Sequence, residues 1–230
     1  MKNNKDGLNI MNKTVVYTAI YGDKDSIKER QFIIPNTDYI LFTDNKEIKS
    51  KIWNVIHVPA EIGCPIRDAK RFKVLPHKWL HQYERSVWID GSIEMTKDFT
   101  PLLDSGTRWM VFGHERYCIY DELTACVRLK KDNPDIMNAH IEKYRKIGYP
   151  KNNGLWSNGV LIRKHNDSDI IKMNEMWWQE IQNGSRRDQL SAPYVAWKCG
   201  LTPDYIDGIT GDIIGKNRWI TLHGHKRKRK

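Results

Sequence analysis

One short stretch decides the fold that this chain is expected to adopt. It reads Ser86-Val87-Trp88-Ile89-Asp90-Gly91-Ser92-Ile93-Glu94-Met95. Its apolar run is typical of a buried strand, and the run ends abruptly at the carboxylate of Asp90. Gly91 then lets the backbone turn or come close to a ligand. In open α/β sheets, ligands bind at this end of the strands, although Asp before Gly is also a common turn pair.

The segments around this strand extend the pattern. Residues 14–20 are apolar and rich in β-branched side chains, which is typical of a central parallel strand buried on both faces. Further strands are predicted at residues 39–42, 52–58, 109–112, 155–162 and 219–222. Helices are predicted at residues 66–75, 119–130, 136–147, 168–181 and 187–198. Strands that alternate with helices predict an α/β domain with a mostly parallel central sheet flanked by helices.

Length and composition indicate a single domain. A chain of 230 residues with 40% hydrophobic residues can bury one sizeable core, and no repeat or low-complexity linker divides it. We assign the domain to residues 13–225, after a flexible segment at 1–12 and before a basic tail at 226–230. Residues 1–6 lack the apolar core of a signal peptide, no apolar run suits a membrane span, and four widely separated cysteines favour reduced thiols. These features predict a cytoplasmic protein.

The net charge of +10 divides between the tail and the body of the chain. The last five residues are all basic, and the remaining 33 basic and 28 acidic residues leave the body at +5. A mildly basic body suits a ligand that carries phosphate. The tail either contacts nucleic acid or an anionic membrane surface, or is a solvated end, and the sequence favours neither.

Carboxylates follow three of the predicted strands. Asp23 follows the first strand, Asp44 the second and Asp90 a later one. In a parallel sheet these ends meet at one edge, where they would suit a nucleoside base, a ribose and a metal-bound diphosphate. A dinucleotide-binding Gly-x-Gly-x-x-Gly and a phosphate-binding loop are both absent, so nicotinamide and ordinary ATPase chemistry are poorly supported.

The predicted helix at residues 66–75 carries a basic face. Arg67, Lys70 and Arg71 are spaced at i, i+3 and i+4, so they share one side of the helix. Turned towards a pocket, this face could neutralise a diphosphate leaving group. A solvated basic face is the simpler interpretation of the spacing alone.

Two further motifs place polar groups inside apolar surroundings. Asn158-Gly159 interrupts an apolar run, where a glycine permits a bulge, a close ligand approach or an ordinary hairpin turn. Asp188 opens a predicted helix, and the helix dipole alone explains an acidic residue there. The same position would hold its carboxylate rigidly over a pocket.

The end of the chain offers a pair of histidines. His223 and His225 follow the predicted strand at residues 219–222, and Lys226 comes directly after them. An imidazole from here could complete a cation site with Asp90, and Lys226 could reach a phosphate. Two histidines beside a basic tail are weak evidence for a metal.

The motifs, taken in order, resemble a known family. They are Val16-Tyr17-Thr18-Ala19-Ile20-Tyr21-Gly22, Phe42-Thr43-Asp44, Arg67-x-x-Lys70, Trp88-Ile89-Asp90-Gly91, His114-x-Arg116-x-Cys118-x-Tyr120-x-Glu122, Gly154-Leu155, Trp177-Trp178 and Arg187-Asp188-Gln189. This order, over residues 14–198, is similar to that of small bacterial, viral and plant domains once catalogued as of unknown function and now regarded as glycosyltransferase-like. The resemblance implies a GT-A-type (Rossmann-like) fold. It also implies an Asp-x-Asp metal motif, which here reads Asp90-Gly91-Ser92 and lacks the second carboxylate.

The resemblance implies an enzyme that moves a hexose or pentose from a nucleotide-diphosphate sugar, such as a UDP-sugar, to an acceptor hydroxyl. The acidic groups and the basic helix would then meet at one rim of the sheet. Asp188 and Asp90 are the catalytic candidates, and Asp188 would act as a base or would steady the cationic transition state. The donor-binding candidates are Thr18, Ala19, Tyr21, Asp23, Asp44, Arg67, Lys70, Arg71, Gly91, Ser92, Asn158, Gln189 and Lys226. His114, Arg116 and Glu122 would line the acceptor side, and Asp90, His223 and His225 would bind Mn²⁺ or Mg²⁺.

Several alternatives stay open. The acceptor is either a glycan, which suits the many Trp and Tyr residues, or a modified nucleic-acid base, which suits the basic charge. The location would be the cytosol of a bacterium or of a virus-infected host cell. A non-catalytic glycan- or nucleic-acid-binding module would explain the lost second carboxylate. A hydrolase would need a Gly-x-Ser-x-Gly elbow or a His-Glu-x-x-His motif, and the sequence has neither.

Overall fold

The strand that precedes Asp90 lies at the centre of a seven-stranded sheet in the computed structural model, which describes residues 13–208, 213 and 219–224. The strands of this sheet are β1 (Thr14–Ile20), β2 (Thr37–Thr43), β3 (Asn54–His57), β4 (Arg85–Ile89), β6 (Trp109–Gly113), β7 (Trp156–Arg163) and β8 (Asp204–Tyr205). A second sheet contains only β5 (Ile93–Met95) and β9 (Ile220–Leu222). The predicted segments at 1–12 and 226–230 lie outside the described residues.

The spatial order of the large sheet is β3-β2-β1-β4-β7-β6-β8. Six of its strands run in one direction, and β7 runs antiparallel to its neighbours β4 and β6. The carboxyl ends of the six strands therefore share an edge with the amino end of β7. This arrangement confirms a single α/β domain with a mostly parallel central sheet, consistent with a Rossmann-like fold.

The Asn158-Gly159 pair does not end β7. On the β6 side, Val111 pairs with Leu161 but Phe112 pairs with Ser157, so the strand bulges over residues 158–160. On the β4 side, the Gly159 carbonyl accepts a hydrogen bond of 2.8 Å from the Asp90 amide. The bulge thus forms at the sheet edge beside Asp90.

Seven helices are present in the described parts of the chain. They are α1 (Pro65–Val74), α2 (Pro76–Trp79), α3 (Thr100–Asp104), α4 (Ile119–Arg128), α5 (Pro134–Ile147), α6 (Ser168–Asn183) and α7 (Asp188–Cys199). Local sequence explains several of their ends. Pro65 is the first residue of α1, the Asn133 side chain accepts a bond from the Asp135 amide at 2.8 Å, and Gly148 ends α5 in a left-handed conformation. None of the described helices combines the length and the apolar character that crossing a bilayer requires.

The sheet separates two apolar cores. On the first side, which we call the helix face, α1 packs against β1 and α6, and α7 packs against β7. Phe72 of α1 stacks on Phe42 of β2 there, with ring centroids 4.3 Å apart. The other side, the loop face, is covered by α3, by the small sheet and by loop residues such as Trp53. Each large apolar side chain buried on either face contributes roughly 1.5–3 kcal/mol to folding.

The small sheet begins with the turn after β4. The Ile93 amide donates to the Asp90 carbonyl at 2.8 Å, which closes a turn through Gly91 and Ser92. β5 then pairs antiparallel with β9, and the His223 amide donates to the Ser92 carbonyl at 2.8 Å. Residues 220–223 are thereby brought beside the Asp90 turn.

Candidate active site

Asp188 and Asp90 lie on two sides of one lysine ammonium. Lys73 Nζ is 2.7 Å from Asp188 Oδ2 and 3.1 Å from Asp90 Oδ1. Lys70 Nζ lies 2.6 Å from the other Asp188 oxygen, Oδ1. We call these four residues, Lys70, Lys73, Asp90 and Asp188, the lysine cluster.

Each element delivers its side chain for a local reason. Lys70 and Lys73 are three residues apart on α1, so they point to the same side of that helix. Asp188 is the first residue of α7, where the helix dipole favours a carboxylate. Asp90 follows the last residue of β4, and the indole of Trp88 donates to its Oδ1 at 2.8 Å.

Burial and charge oppose each other in this cluster. Burial raises the pKa of Asp188, but the charges of Lys70, Lys73 and Arg187 outweigh it and hold this pKa far below its ordinary value. Burial lowers the pKa of Lys70 to about 8, against the opposing effect of Asp188. Burial also lowers the pKa of Lys73, yet two carboxylates overcome it and the pKa ends above its ordinary value. Asp90 is the most open member, with 44% of its side chain exposed.

A buried arginine holds the backbone behind Lys73. The Arg163 guanidinium, fully buried on β7, donates to the Lys73 carbonyl, to the Tyr17 hydroxyl and to Asn174 Oδ1. The Tyr17 hydroxyl also donates to the Lys73 carbonyl at 3.1 Å. The end of α1 is thus fixed to the sheet, which orients Lys73 towards the aspartates.

The loop between α6 and α7 is also fixed. The Ser185 amide donates to His140 Nδ1 at 3.0 Å, and Asp132 accepts from the Ser185 hydroxyl at 2.7 Å and from the Arg186 amide at 2.9 Å. A Cβ at Gly184 would lie only 2.4 Å from His140 Nδ1, so glycine is needed for this contact. These contacts hold in place the loop that precedes Asp188, and so they fix the position of its carboxylate.

A second charged group is centred on Glu122 and reaches Asp188 through its chain neighbour Arg187. Glu122 on α4 is 3.5 Å from Arg187 and from Arg116, and 3.8 Å from the ring of His114. We call His114, Arg116, Glu122 and Arg187 the glutamate cluster. The three residues predicted for the acceptor side therefore lie together, and Arg187 connects them to Asp188.

The other two basic residues of α1 have separate partners. Arg67 donates to the Ile181 carbonyl at 3.1 Å and to the Gly184 carbonyl at 2.8 Å, at the carboxyl end of α6. Arg71 pairs with Glu61, and its guanidinium stacks on Trp79 at 5.2 Å. Of the three predicted cations, only Lys70 touches Asp188.

The predicted nucleoside-binding residues follow β1 and β2. Both Asp44 oxygens accept from the Gly22 amide at 3.3 Å, and Asp23 beside it is exposed in a left-handed conformation. The Tyr21 hydroxyl donates to the Val58 carbonyl at 2.9 Å. Asp23 and Asp44 thus lie at the same edge as Asp90, as the parallel strands predict.

Three other donor-binding candidates are buried. Ala19 packs in the core of the helix face. The Thr18 hydroxyl and both polar atoms of the Asn158 amide have no hydrogen-bond partner among the described residues. Thr18 borders a cavity of about 10 Å³ that is also lined by Trp53, enough room for one water molecule.

Gln189 lies beside Asp188. Its amide nitrogen is 3.5 Å from the Trp156 carbonyl, and its oxygen accepts from Arg187. The side chain therefore spans the space between α7 and the start of β7, next to the bulge.

The predicted cation site has only part of its residues in the described structure. His223 contacts Glu94, with Nε2 2.8 Å from Oε2. His225 and Lys226 lie outside the described residues. Within those residues no group of three or more His, Cys, Asp or Glu side chains is arranged to hold a metal. Among the residues that the structure describes, Asp90 and His223 are not assembled into a metal site, and the divalent cation stays a prediction.

Sequence reasoning overlooked Lys73 and Arg187. Lys73 repeats the three-residue spacing from Lys70, a signal that could have identified it, whereas the predicted basic face has Arg71 as its third cation. Arg187 was recognised only as a neighbour of Asp188. In the structure it contacts Glu122 and Gln189, and its charge helps to lower the pKa of Asp188, so it links the glutamate cluster to the lysine cluster.

Comparison with known families identifies the family of this chain. The family model described as TOD1/MUCI70, glycosyltransferase-like domain, matches residues 2–206. The chain belongs to this family. The resemblance seen in the sequence motifs is thereby confirmed, and the family supports a glycosyltransferase-like function. No curated protein matches the chain.

Proposed function

We propose that this TOD1/MUCI70 family domain transfers a sugar from a nucleotide-diphosphate sugar, such as a UDP-sugar, to an acceptor hydroxyl. One observation carries the proposal: Asp188 and Asp90, distant in sequence, meet on the ammonium of Lys73 at the edge of the sheet where ligands bind. Groups with strongly shifted pKa values cluster at functional sites, which supports a chemical role for Asp188 and Lys70.

In the proposed reaction, the bond between the anomeric carbon and the diphosphate oxygen breaks, and its electron pair stays on the diphosphate. The acceptor oxygen forms a new bond to the anomeric carbon and loses its proton. Negative charge therefore grows on the departing diphosphate, and Lys70, the more exposed of the two lysines, is suited to stabilise it.

The two aspartates suit different roles. Asp188 has a strongly lowered pKa, so it stays ionised and is a poor proton acceptor. Its charge suits stabilisation of the cationic sugar and orientation of the lysines. Asp90 is far more exposed, so its carboxylate is the one that an acceptor hydroxyl could reach to deliver its proton.

The remaining predicted residues extend this proposal. Asp23 and Asp44 would seat the nucleoside at the ends of β1 and β2. The glutamate cluster would line the acceptor side. A glycan acceptor suits the aromatic content of the chain, and the basic tail would add general affinity for nucleic acid.

A panel of UDP-, GDP- and ADP-sugars tests the function. We expect one of them to raise the melting temperature, by roughly 5–10 °C at a hundredfold excess over its Kd. That donor should release its nucleoside diphosphate when a mixture of glycan acceptors is added. Stabilisation without release, for glycans and for DNA alike, would favour the non-catalytic binding module. No stabilisation by any member of the panel would contradict the proposal.

A further inference from the structure

The space between the two aspartates of the lysine cluster is occupied by Lys73. Its ammonium lies within 3.1 Å of both carboxylates, and the residue is 3% exposed. Two carboxylates around one cation is also the arrangement that Mg²⁺ or Mn²⁺ would need. In this chain the ammonium of Lys73 is the cation between the two carboxylates.

The oxygens of the two aspartates are largely engaged. Asp188 contacts Lys70 through Oδ1 and Lys73 through Oδ2. Asp90 Oδ1 accepts from both Lys73 and Trp88. Among the described residues, Asp90 Oδ2 alone of the four oxygens has no hydrogen bond or ion pair. A divalent cation would have to displace an ammonium to gain a second carboxylate.

Charge balance explains what Lys73 achieves. Two bare carboxylates at this edge would repel the diphosphate of the donor, and because the site is partly buried, salt would screen that repulsion poorly. Lys73 neutralises them from between, and Lys70, whose side chain is 15% exposed against 4% for Lys73, adds a second positive charge beside Asp188. The formal charges of the lysine cluster therefore cancel, so its carboxylates need no metal ion to stop them repelling an anion.

We propose that this site binds the donor diphosphate without a divalent cation, because Lys73 takes the place of that cation between Asp90 and Asp188. The inference rests on the proposed function. The Mn²⁺ or Mg²⁺ predicted from the sequence is the alternative that the experiment must separate from it.

The test is calorimetric titration of UDP, GDP and ADP into the full chain, in EDTA and again in Mn²⁺. We expect the preferred nucleotide to bind with the same affinity, within about twofold, under both conditions. For Lys73→Met we expect binding at least about tenfold weaker in EDTA, because the carboxylates are then uncompensated. Mn²⁺ should restore nucleotide binding to this variant by occupying the position of the lost ammonium between Asp90 and Asp188.

Lys70→Met is the matched control. It removes an ammonium from Asp188 but leaves Lys73 between the carboxylates. We therefore expect weaker nucleotide binding that Mn²⁺ does not restore. Circular dichroism of each variant would confirm folding, and the comparison of EDTA with Mn²⁺ in the unmodified protein decides the question even if a variant fails to fold.

Two results would overturn the inference alone. One is nucleotide binding by the unmodified protein that strengthens at least about tenfold in Mn²⁺. The other is a folded Lys73→Met variant that binds in EDTA as tightly as the unmodified protein. If no nucleotide bound under either condition, the proposed function itself would fall, so the two failures are distinguishable.

Discussion

The lysine cluster and the glutamate cluster lie side by side but are built differently. In the first, two lysines meet two carboxylates at 2.6–3.1 Å. In the second, two arginines and a histidine surround one carboxylate at 3.5–3.8 Å. The first is closely paired, whereas the ion pairs of the second are longer and its arginines also contact Glu115 and Gln189.

The difference indicates how each cluster meets a ligand. Close, buried pairs cost several kcal/mol to break, so the lysine cluster keeps its geometry before and after binding. Arg116 and Arg187 are about one-quarter exposed and lie at longer distances from Glu122, so they can turn towards an incoming group. The lysine cluster thus suits the chemical step, and the glutamate cluster suits the positioning of an acceptor.

The largest contrast is expected between Asp188→Asn and Glu122→Gln. The first should lower the rate of transfer by at least about 10³-fold and the free energy of unfolding by roughly 3–5 kcal/mol, because two buried lysines lose their shared charge. The second should cost only about 1 kcal/mol, because the amide keeps the shape of the side chain and the two arginines, 3.5 Å away, are about one-quarter exposed. Urea unfolding and a turnover assay measure both quantities. Equal losses of stability in the two variants would remove the distinction between the clusters.

A smaller effect is expected from pH. Burial lowers the pKa of Lys70 to about 8, so its positive charge is lost as the pH rises through this value. Affinity for the nucleoside diphosphate should then fall several-fold between about pH 7 and pH 9.5. Lys70→Arg should remove this decline, because a guanidinium stays charged. Calorimetric titration across this range is the measurement, and a decline that persisted in Lys70→Arg would assign it to another group.

The lowered pKa of Lys70 affects the free energy of unfolding in the direction opposite to its effect on nucleotide affinity. The unfolded chain, in which the lysine has a pKa of about 10.4, binds more protons than the folded protein between about pH 8 and pH 10.4. The contribution of Lys70 to the free energy of unfolding therefore rises with pH across this window. Unfolding curves of the unmodified protein and Lys70→Arg should diverge there.

The smallest effect is expected from Arg116→Ala. Arg116 is 26% exposed and contacts Glu115 at the surface as well as Glu122, so the free energy of unfolding should change by no more than about 0.5 kcal/mol. If the glutamate cluster positions the acceptor, KM for the acceptor should rise about threefold to tenfold while donor affinity stays the same. A change in donor affinity instead would place Arg116 on the donor side.

Much of the fold was predictable from local patterns. The strand predicted at residues 14–20 is β1 without change, and the helix predicted at 168–181 is α6 with two more residues at its end. The sequence also indicated that Asp90 ends a buried strand at the ligand-binding edge. It did not predict that β7 runs antiparallel or that β5 and β9 form a small sheet, because strand direction depends on the route of the chain between elements.

The candidate site was predictable only in part. Asp90, Asp188 and Lys70 were singled out, and they lie together in the structure. Lys73 was not, since a lysine near the end of a helix is usually solvated. What gives it a partner is the packing of α1 against β1 and α6, which turns that face inwards. Arg71, equally basic, is turned towards Glu61 by the same packing.

The sequence by itself determined the alternation of strands and helices, the carboxylate at the end of β4 and the acidic start of α7. These features depend on interactions between near neighbours in the chain, which periodicity and capping reveal. Only the tertiary structure decided that one lysine lies between those two carboxylates. That contact joins residues 17 and 115 positions apart, and helical spacing tells which residues share a face but not what the face meets.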